Sequence, residues 1–401
     1  MDDQHLSGLK EAAAAVVDDL AAEIIDLSRR LHDHPELGYE EFRAAEWLTE
    51  FLEQHGLVVE RGFSGLATAF RARHRSGVGG PVVAILAEYD ALPEIGHACG
   101  HNIIGASAVG AGAALRRVLG TAAGEIQVIG CPAEETGGSK AAMVKAGVFE
   151  GVTAALSMHP GSQTGGGATS LAITPLTFRF YGRPAHAAAS PDEGVNALDA
   201  LLQTFNGINA LRQHVKSDVR IHGIVRRGGV APNIVPDYAE GEFYVRAAAR
   251  EDLDRVVERV KDCARAGALA TGARLEIEEG TSYDDMRPNR PLTRACLENL
   301  RRLGAETEET FGQRLSASTD VGNVSHVCPT AAPSIAIAPR TIPGHSREFA
   351  AAAVSEAGHR GLILAAKMLA LTALDVLFRP SLVAEMEADF AASMAAGGER
   401  V

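Results

Sequence analysis

Val82-Val83-Ala84-Ile85-Leu86-Ala87 and Ile126-Gln127-Val128-Ile129-Gly130 are short apolar runs, and the stretch between them, from about Ala106 to Leu119, is rich in small residues and helical in pattern. Continuous apolar runs joined through a helix are the alternation of a buried α/β sheet, because a strand covered on both faces has no polar side to show. Both runs end in polar, reactive residue types. Glu88-Tyr89-Asp90 follows the first, and Cys131-Pro132-Ala133-Glu134-Glu135 closes the second. Ligands of open α/β sheets gather beyond the carboxyl ends of the strands, so the chemistry is expected there.

Upstream of this core, Leu20, Ile24, Leu27 and Leu31 recur at three- and four-residue spacing, and Pro35 ends that helix before another begins near Tyr39. Downstream, the order between about Leu171 and Glu279 changes. It reads strand (Pro175 to Tyr181), helix (Val195 to Gln213), strand (Val219 to Val225), strand (Tyr238 to Arg246), helix (Leu253 to Leu269), strand (Arg274 to Glu278). This β-α-β-β-α-β order is a ferredoxin-like unit, four strands on two helices, large enough to fold as an inserted domain. A strand from Ser334 to Ala338 and helices from Cys296 to Leu303 and from about Ala351 to Leu374 then resume the α/β character. The expectation is a discontinuous catalytic domain, 1–170 and 285–401, with 171–284 inserted and Gly165-Gly166-Gly167 as a hinge near the boundary.

The chain has 401 residues, enough for two or three domains at roughly 100 to 200 residues each. At 46% hydrophobic and 22% charged it buries a large core and lacks the signature of a disordered chain. The net charge of −13 repels phosphate, which speaks against nucleic acid and anionic membrane as partners. Five scattered cysteines do not form a disulfide framework, the acidic N-terminus lacks the basic start of a signal peptide, and no uninterrupted apolar stretch reaches the roughly 18 residues of a membrane span. A soluble, cytoplasmic protein is expected.

Four clusters carry chemistry. His97-Ala98-Cys99-Gly100-His101-Asn102 puts a thiolate and an imidazole two residues apart on a glycine-containing loop, a pair that zinc or a neighbouring first-row ion accepts readily. Glu134 and Glu135 suit a division of labour in which one binds a cation and the other stays free as a base. His159 follows the apolar segment Val152 to Leu156, and His345 lies after the Ser334 to Ala338 strand. Each alone is as ordinary as a structural histidine or a solvated turn. Together, Cys99, His101, Glu135, His159 and His345 all fall at expected strand ends of one sheet, and five ligand types with a spare carboxylate suggest two metal ions sharing a water.

With these motifs in this order, the whole chain resembles the co-catalytic metallo-amidohydrolases, which include aminoacylases, carboxypeptidase-like peptidases and hippurate hydrolases. Gly96 to Asn102, Ser318-Thr319-Asp320-Val321-Gly322-Asn323-Val324-Ser325-His326 and Pro343-Gly344-His345-Ser346 are similar to the branch of p-aminobenzoyl-glutamate hydrolases and Xaa-Arg (β-alanyl-lysine type) dipeptidases. Departures mark the branch: Glu88-Tyr89-Asp90 and Cys99 stand where much of the family has His-x-Asp and a bridging Asp, which fits the thiolate branch, and Asn102 stands where the hippurate-type run ends in Asp, which speaks against a purely hippurate-type enzyme. The resemblance implies a zinc-peptidase-like catalytic domain, a mixed sheet flanked by helices, with a lid and dimerisation domain inserted. It implies Cys99 bridging two divalent ions (zinc or manganese, with cobalt as a further option), His101 and His159 on one, Glu135 and His345 on the other, and Glu134 as base. It also implies a homodimer in which the insertion's histidine, assigned to His222, reaches the partner's site to stabilise an oxyanion. Asn233 and Arg246 are candidate anchors for a substrate carboxylate, since the Arg fork donates two parallel hydrogen bonds.

The expected activity is therefore metal-assisted hydrolysis of the amide bond in an N-acyl amino acid or dipeptide, a small substrate carrying an amide beside a carboxylate. A thiol hydrolase using Cys99 with His97 or His101, and a binding protein that kept the fold without the chemistry, are the readings from other classes. Asp192, Glu193 and Asp320 are acidic residues that either meet a basic substrate or are surface charge.

Overall fold

The structure is a computed structural model that describes residues 3–120 and 123–398. It divides into two compact units, Met1–Thr169 with Met286–Leu315 and Thr319–Val401, and Ser170–Asp285 with Ser316–Ser318. The short 316–318 segment, assigned from sequence to the catalytic domain, thus belongs with the insertion.

The first unit is built on a six-stranded mixed sheet in the order Val58–Arg61, Phe70–Ser76, Gly124–Gly130, Val82–Ala87, Ala154–Leu156, Thr330–Ala331. The last four run parallel and the first two are antiparallel additions at one edge. Period-2 alternation divides the apolar runs between two cores. Val83, Ile85 and Ala87 face the larger one, while Ala84, Leu86 and Ile129 face a smaller one with Met143, Val321 and Val324. The small-residue helix is His101–Val118, buried from His101 to Leu115. Its composition reflects crowding: a Cβ at Gly105 would sit 2.9 Å from the Glu88 carbonyl oxygen, and one at Gly110 2.6 Å from Ile24 Cδ1.

The helix Glu356–Phe378 packs against this one and is long and apolar enough by length and composition to cross a membrane, although Lys367 and Asp375 interrupt its apolar run, so no uninterrupted span is present in it. Most of its apolar window, 78%, is buried inside the protein, as in a core helix. A small third sheet joins Glu308–Glu309, Gly165–Gly166, Ser334–Ala336 and His159–Gly161, so the expected glycine hinge is partly a strand.

The second unit is a four-stranded sheet in the order Arg274–Glu279, Ala172–Tyr181, Tyr238–Ala247, Arg220–Arg227, every pair antiparallel. The helices Ala197–Leu211 and Arg250–Thr271 cover one face, burying Leu176, Phe178, Phe180, Phe243 and Val245. Asn196 caps the first of these helices, accepting from the Leu198 and Asp199 amides.

Candidate metal centre

The parallel strands Val82–Ala87, Gly124–Gly130 and Ala154–Leu156 end on one edge, and Cys99, His101, Glu134, Glu135 and His159 come from the segments that follow them. Gly100, at φ +83, turns the first loop into the helix that begins with His101. A Cβ at Gly100 would lie 2.8 Å from Pro160 Cγ, so glycine both adopts the left-handed step and admits the chain carrying His159. His345, itself at φ +60, is tied to the same loop by its amide, which donates to the Ala98 carbonyl at 2.9 Å.

Cys99, His101 and His159 form one set of potential ligands and Cys99, Glu135 and His345 another, with the donor atoms of each set within 4.8 Å of one another. Cys99 belongs to both. A third grouping, His101 with Glu134 and Glu135, brings the second carboxylate alongside. One expectation needs correction: the five do not lie at the strand ends of one sheet. His159 and the strand before His345 belong to the small sheet, where Ser334–Ala336 pairs in parallel with His159–Gly161. That pairing carries the distant segment to the loop edge.

The donor chemistry fits divalent cations. His101 Nδ1 is 2.9 Å from both Asp90 Oδ1 and the Asp90 carbonyl oxygen, which assigns the proton to Nδ1 and directs the bare Nε2 into the site. His159 Nδ1 donates to the Pro160 carbonyl at 2.7 Å, likewise presenting Nε2, 3.3 Å from Cys99 Sγ. His101 Nε2 and Glu135 Oε1 are buried, 3.9 Å apart, with His345 Nε2 3.3 Å from the same Glu135 oxygen, so donor atoms crowd one point as they would around a cation. Asp90 also accepts from the Glu135 amide at 3.0 Å, so one carboxylate steadies a residue of each set.

Charge is arranged to match. Burial pushes the Cys99 thiol up, but His159 and His101 outweigh it and bring it down to about 6, near thiolate at neutral pH. Burial also raises Glu135, yet hydrogen bonding to His345 and the charge of His101 hold it below the usual carboxylate range. Glu134 goes the other way: burial and the charges of Glu88 and Asp320 push it well up. A carboxylate raised in this way holds a proton more firmly than an ordinary glutamate, which suits a proton acceptor.

Behind Glu134 lies a feature without a signal in the sequence. Lys140, fully buried, sits 2.8 Å from Glu88 Oε1 and 2.5 Å from Asp320 Oδ1. Asp320 is therefore an internal counter-ion and faces neither solvent nor a basic substrate, whereas Asp192 and Glu193 are exposed. Asn102, which separates the branches in sequence, is buried and bonds the Ser28 hydroxyl at 3.0 Å. His97 is buried, held down to about 3 by burial and by His101 and His32, and is thereby a poor partner for a thiolate.

In the second unit, His222 is exposed and lies in register opposite Tyr244, with Arg246 two residues further on the same open face of the sheet. Arg246 donates to Ser318 Oγ at 2.8 Å. Asn233 is exposed on the connection between their strands, its carbonyl accepting from the Ala187 amide at 3.0 Å.

An α/β fold with an inserted ferredoxin-like unit, and a paired donor set sharing one thiolate, define a metal-dependent hydrolase of amide bonds. The chain belongs to the M20 family of metallopeptidases and amidohydrolases. Residues 167–271 match the family's peptidase dimerisation domain. The chain is 40% identical to the Xaa-Arg dipeptidase of Mus musculus over 96% of its own length and 93% of the relative's. It is 32% identical to a p-aminobenzoyl-glutamate hydrolase polypeptide of Escherichia coli, covering 90% of each. It shares its fold with a dinuclear metal-binding M20 peptidase from Bacillus subtilis, at a TM-score of 0.69 and 22% identity over 90% of this chain and 99% of the other.

Proposed function

We propose that the substrate is a dipeptide with a basic C-terminal residue, that Cys99, His101, His159, Glu135 and His345 hold two divalent ions, and that Glu134 is the base. The observation that carries the site reading is the sharing of Cys99 by two donor sets with Glu134 beside them. The substrate reading is supported by 40% identity, across nearly the whole chain, to an Xaa-Arg dipeptidase. When bound, the two ions supply Lewis acidity to a water and to the amide carbonyl. A Glu134 carboxylate oxygen takes the proton and hands it to the leaving amine nitrogen, and His222 donates to the developing oxyanion. Arg246 and Asn233 anchor the carboxylate of the substrate. Zinc or manganese suits the mixed thiolate, imidazole and carboxylate set. The assembly is a homodimer, supported by the match to a dimerisation domain. The location is cytoplasmic, a reading supported by five free cysteines.

The test is hydrolysis of β-alanyl-lysine, other Xaa-Lys and Xaa-Arg dipeptides, p-aminobenzoyl-glutamate, hippurate and N-acetyl amino acids by metal-analysed protein before and after chelation. Basic dipeptides should be turned over fastest, and activity should vanish on chelation and return with zinc or manganese. Preference for p-aminobenzoyl-glutamate would overturn the substrate reading, and activity indifferent to chelation would move the chemistry to Cys99 as nucleophile. Glu134→Gln should keep its metal and lose about 10²- to 10⁴-fold in turnover.

A further inference from the structure

Glu41 is wholly buried on the turn between the helices Ala21–Asp33 and Phe42–Gln54. Its Oε1 accepts from the Ala133 amide at 2.7 Å across 92 residues of chain, and its Oε2 accepts from the Thr68 hydroxyl at 2.9 Å. Ala133 immediately precedes Glu134 and stands at φ +55, left-handed backbone that a residue with a Cβ adopts only when its surroundings impose it. The other side of Ala133 is held as well, its carbonyl accepting from the Gly137 and Gly138 amides at 2.9 and 2.7 Å. The same turn presses on this loop through Gly38, where a Cβ would come 2.8 Å from Ala133 Cβ. It also reaches the other loop, since the Glu36 carbonyl accepts from the Ala91 amide at 2.8 Å.

We propose that Glu41 is a positioning residue that holds Ala133 in its left-handed conformation and so aims the Glu134 and Glu135 side chains into the metal centre. The proposal rests on the reading of Glu134 as base and Glu135 as ligand. Glu41 touches no reacting atom and acts through the Ala133 peptide. An acceptor oxygen is what the role requires. Glutamine can serve, because its amide oxygen accepts from the Ala133 amide while its NH₂ donates to the Thr68 hydroxyl.

The test is kcat and KM, normalised to folded and metal-loaded protein, for Glu41→Ala, Glu41→Gln and Glu41→Ala combined with Ala133→Gly, with Glu134→Gln measured alongside. Glu41→Ala should lower kcat about 10- to 100-fold, the scale of a base misplaced by an ångström, while KM moves about twofold. Glutamine should restore most of the loss. Ala133→Gly should recover part of it in the Ala background, because glycine takes φ +55 unaided. A role in stability alone would leave normalised kcat unchanged in every variant, and that result overturns the proposal. Equal impairment of Gln and Ala would overturn it too. Should the Ala variant not fold, Glu41→Asp, whose shorter carboxylate retreats from the Ala133 amide, is read in its place by the same criteria. A silent Glu41→Ala beside an inactive Glu134→Gln removes this inference alone; an active Glu134→Gln removes the reading of the base and this inference with it.

Discussion

Replacing Lys140 by Met tests the buried charge network most directly. The side chain is fully enclosed, and its ammonium lies 2.8 Å from Glu88 Oε1 and 2.5 Å from Asp320 Oδ1. Burial alone would make the ammonium give up its proton more easily, but Asp320 and Glu88 outweigh burial and raise it well above the usual lysine range. Methionine fills a similar volume and leaves both carboxylates without their cation. Removing one partner of a buried pair costs about 3 to 5 kcal/mol, because a desolvated charge is left uncompensated. At about 2 to 4 °C per kcal/mol for a domain of this size, the melting temperature should fall by about 6 to 20 °C. Burial raises Asp320 against the pull of Lys140, and without Lys140 it rises further, so acid neutralises the stranded carboxylate and the deficit should shrink at pH 5. The assay is calorimetric melting at pH 8 and pH 5. Adding Asp320→Asn should restore part of the loss at pH 8, since it leaves Glu88 as one stranded carboxylate in place of two. A Lys140→Met protein melting within about 2 °C of the parent at pH 8 would refute the reasoning, since that is below 1 kcal/mol.

Two further outcomes are expected. His222→Ala should lower turnover about 10²- to 10³-fold, as for other oxyanion donors, without changing metal content; unchanged turnover would return His222 to the open sheet face as an ordinary surface residue. Glu41, raised from 4.5 to about 7 chiefly by burial, makes the folded protein hold a proton that the unfolded chain releases, so its contribution to stability falls as pH rises from about 4.5 to 7. Glu41→Gln should therefore gain up to about 3 kcal/mol above pH 7 and almost nothing below pH 4.5, measured by melting across that range. An equal effect at both ends would show that the Glu41 carboxyl is not held in the way described.

The periodicities of the chain determined most of its architecture. In the insertion, the alternation in Tyr238–Ala247 and the three- and four-residue spacing in Arg250–Thr271 place strand and helix within a few residues, because each has one face to bury. The edge strand Val58–Arg61, its neighbour Phe70–Ser76 and the helix Pro380–Gly398 were not legible in this way. Phe70–Ser76 does bury alternate residues, but its other face is Arg71, Arg73 and Arg75, and so its apolar signal is thin.

Residue types at loop positions after strands likewise determined the candidate ligands, since thiolate, imidazole and carboxylate are the donors divalent ions accept. Their convergence on Cys99 is a matter of tertiary structure, because Cys99 and His345 are brought together by the pairing of Ser334–Ala336 with His159–Gly161 and by the amide of His345 on Ala98. That structure alone turned Asp320 from a surface charge or a contact for a basic substrate into the buried partner of Lys140, and Glu41 from one acid in a turn into the acceptor for Ala133. A charged residue carries no mark in the sequence of the dielectric it will occupy; burial and a counter-charge arriving from a distant segment set its role, and both exist only once the chain has closed on itself.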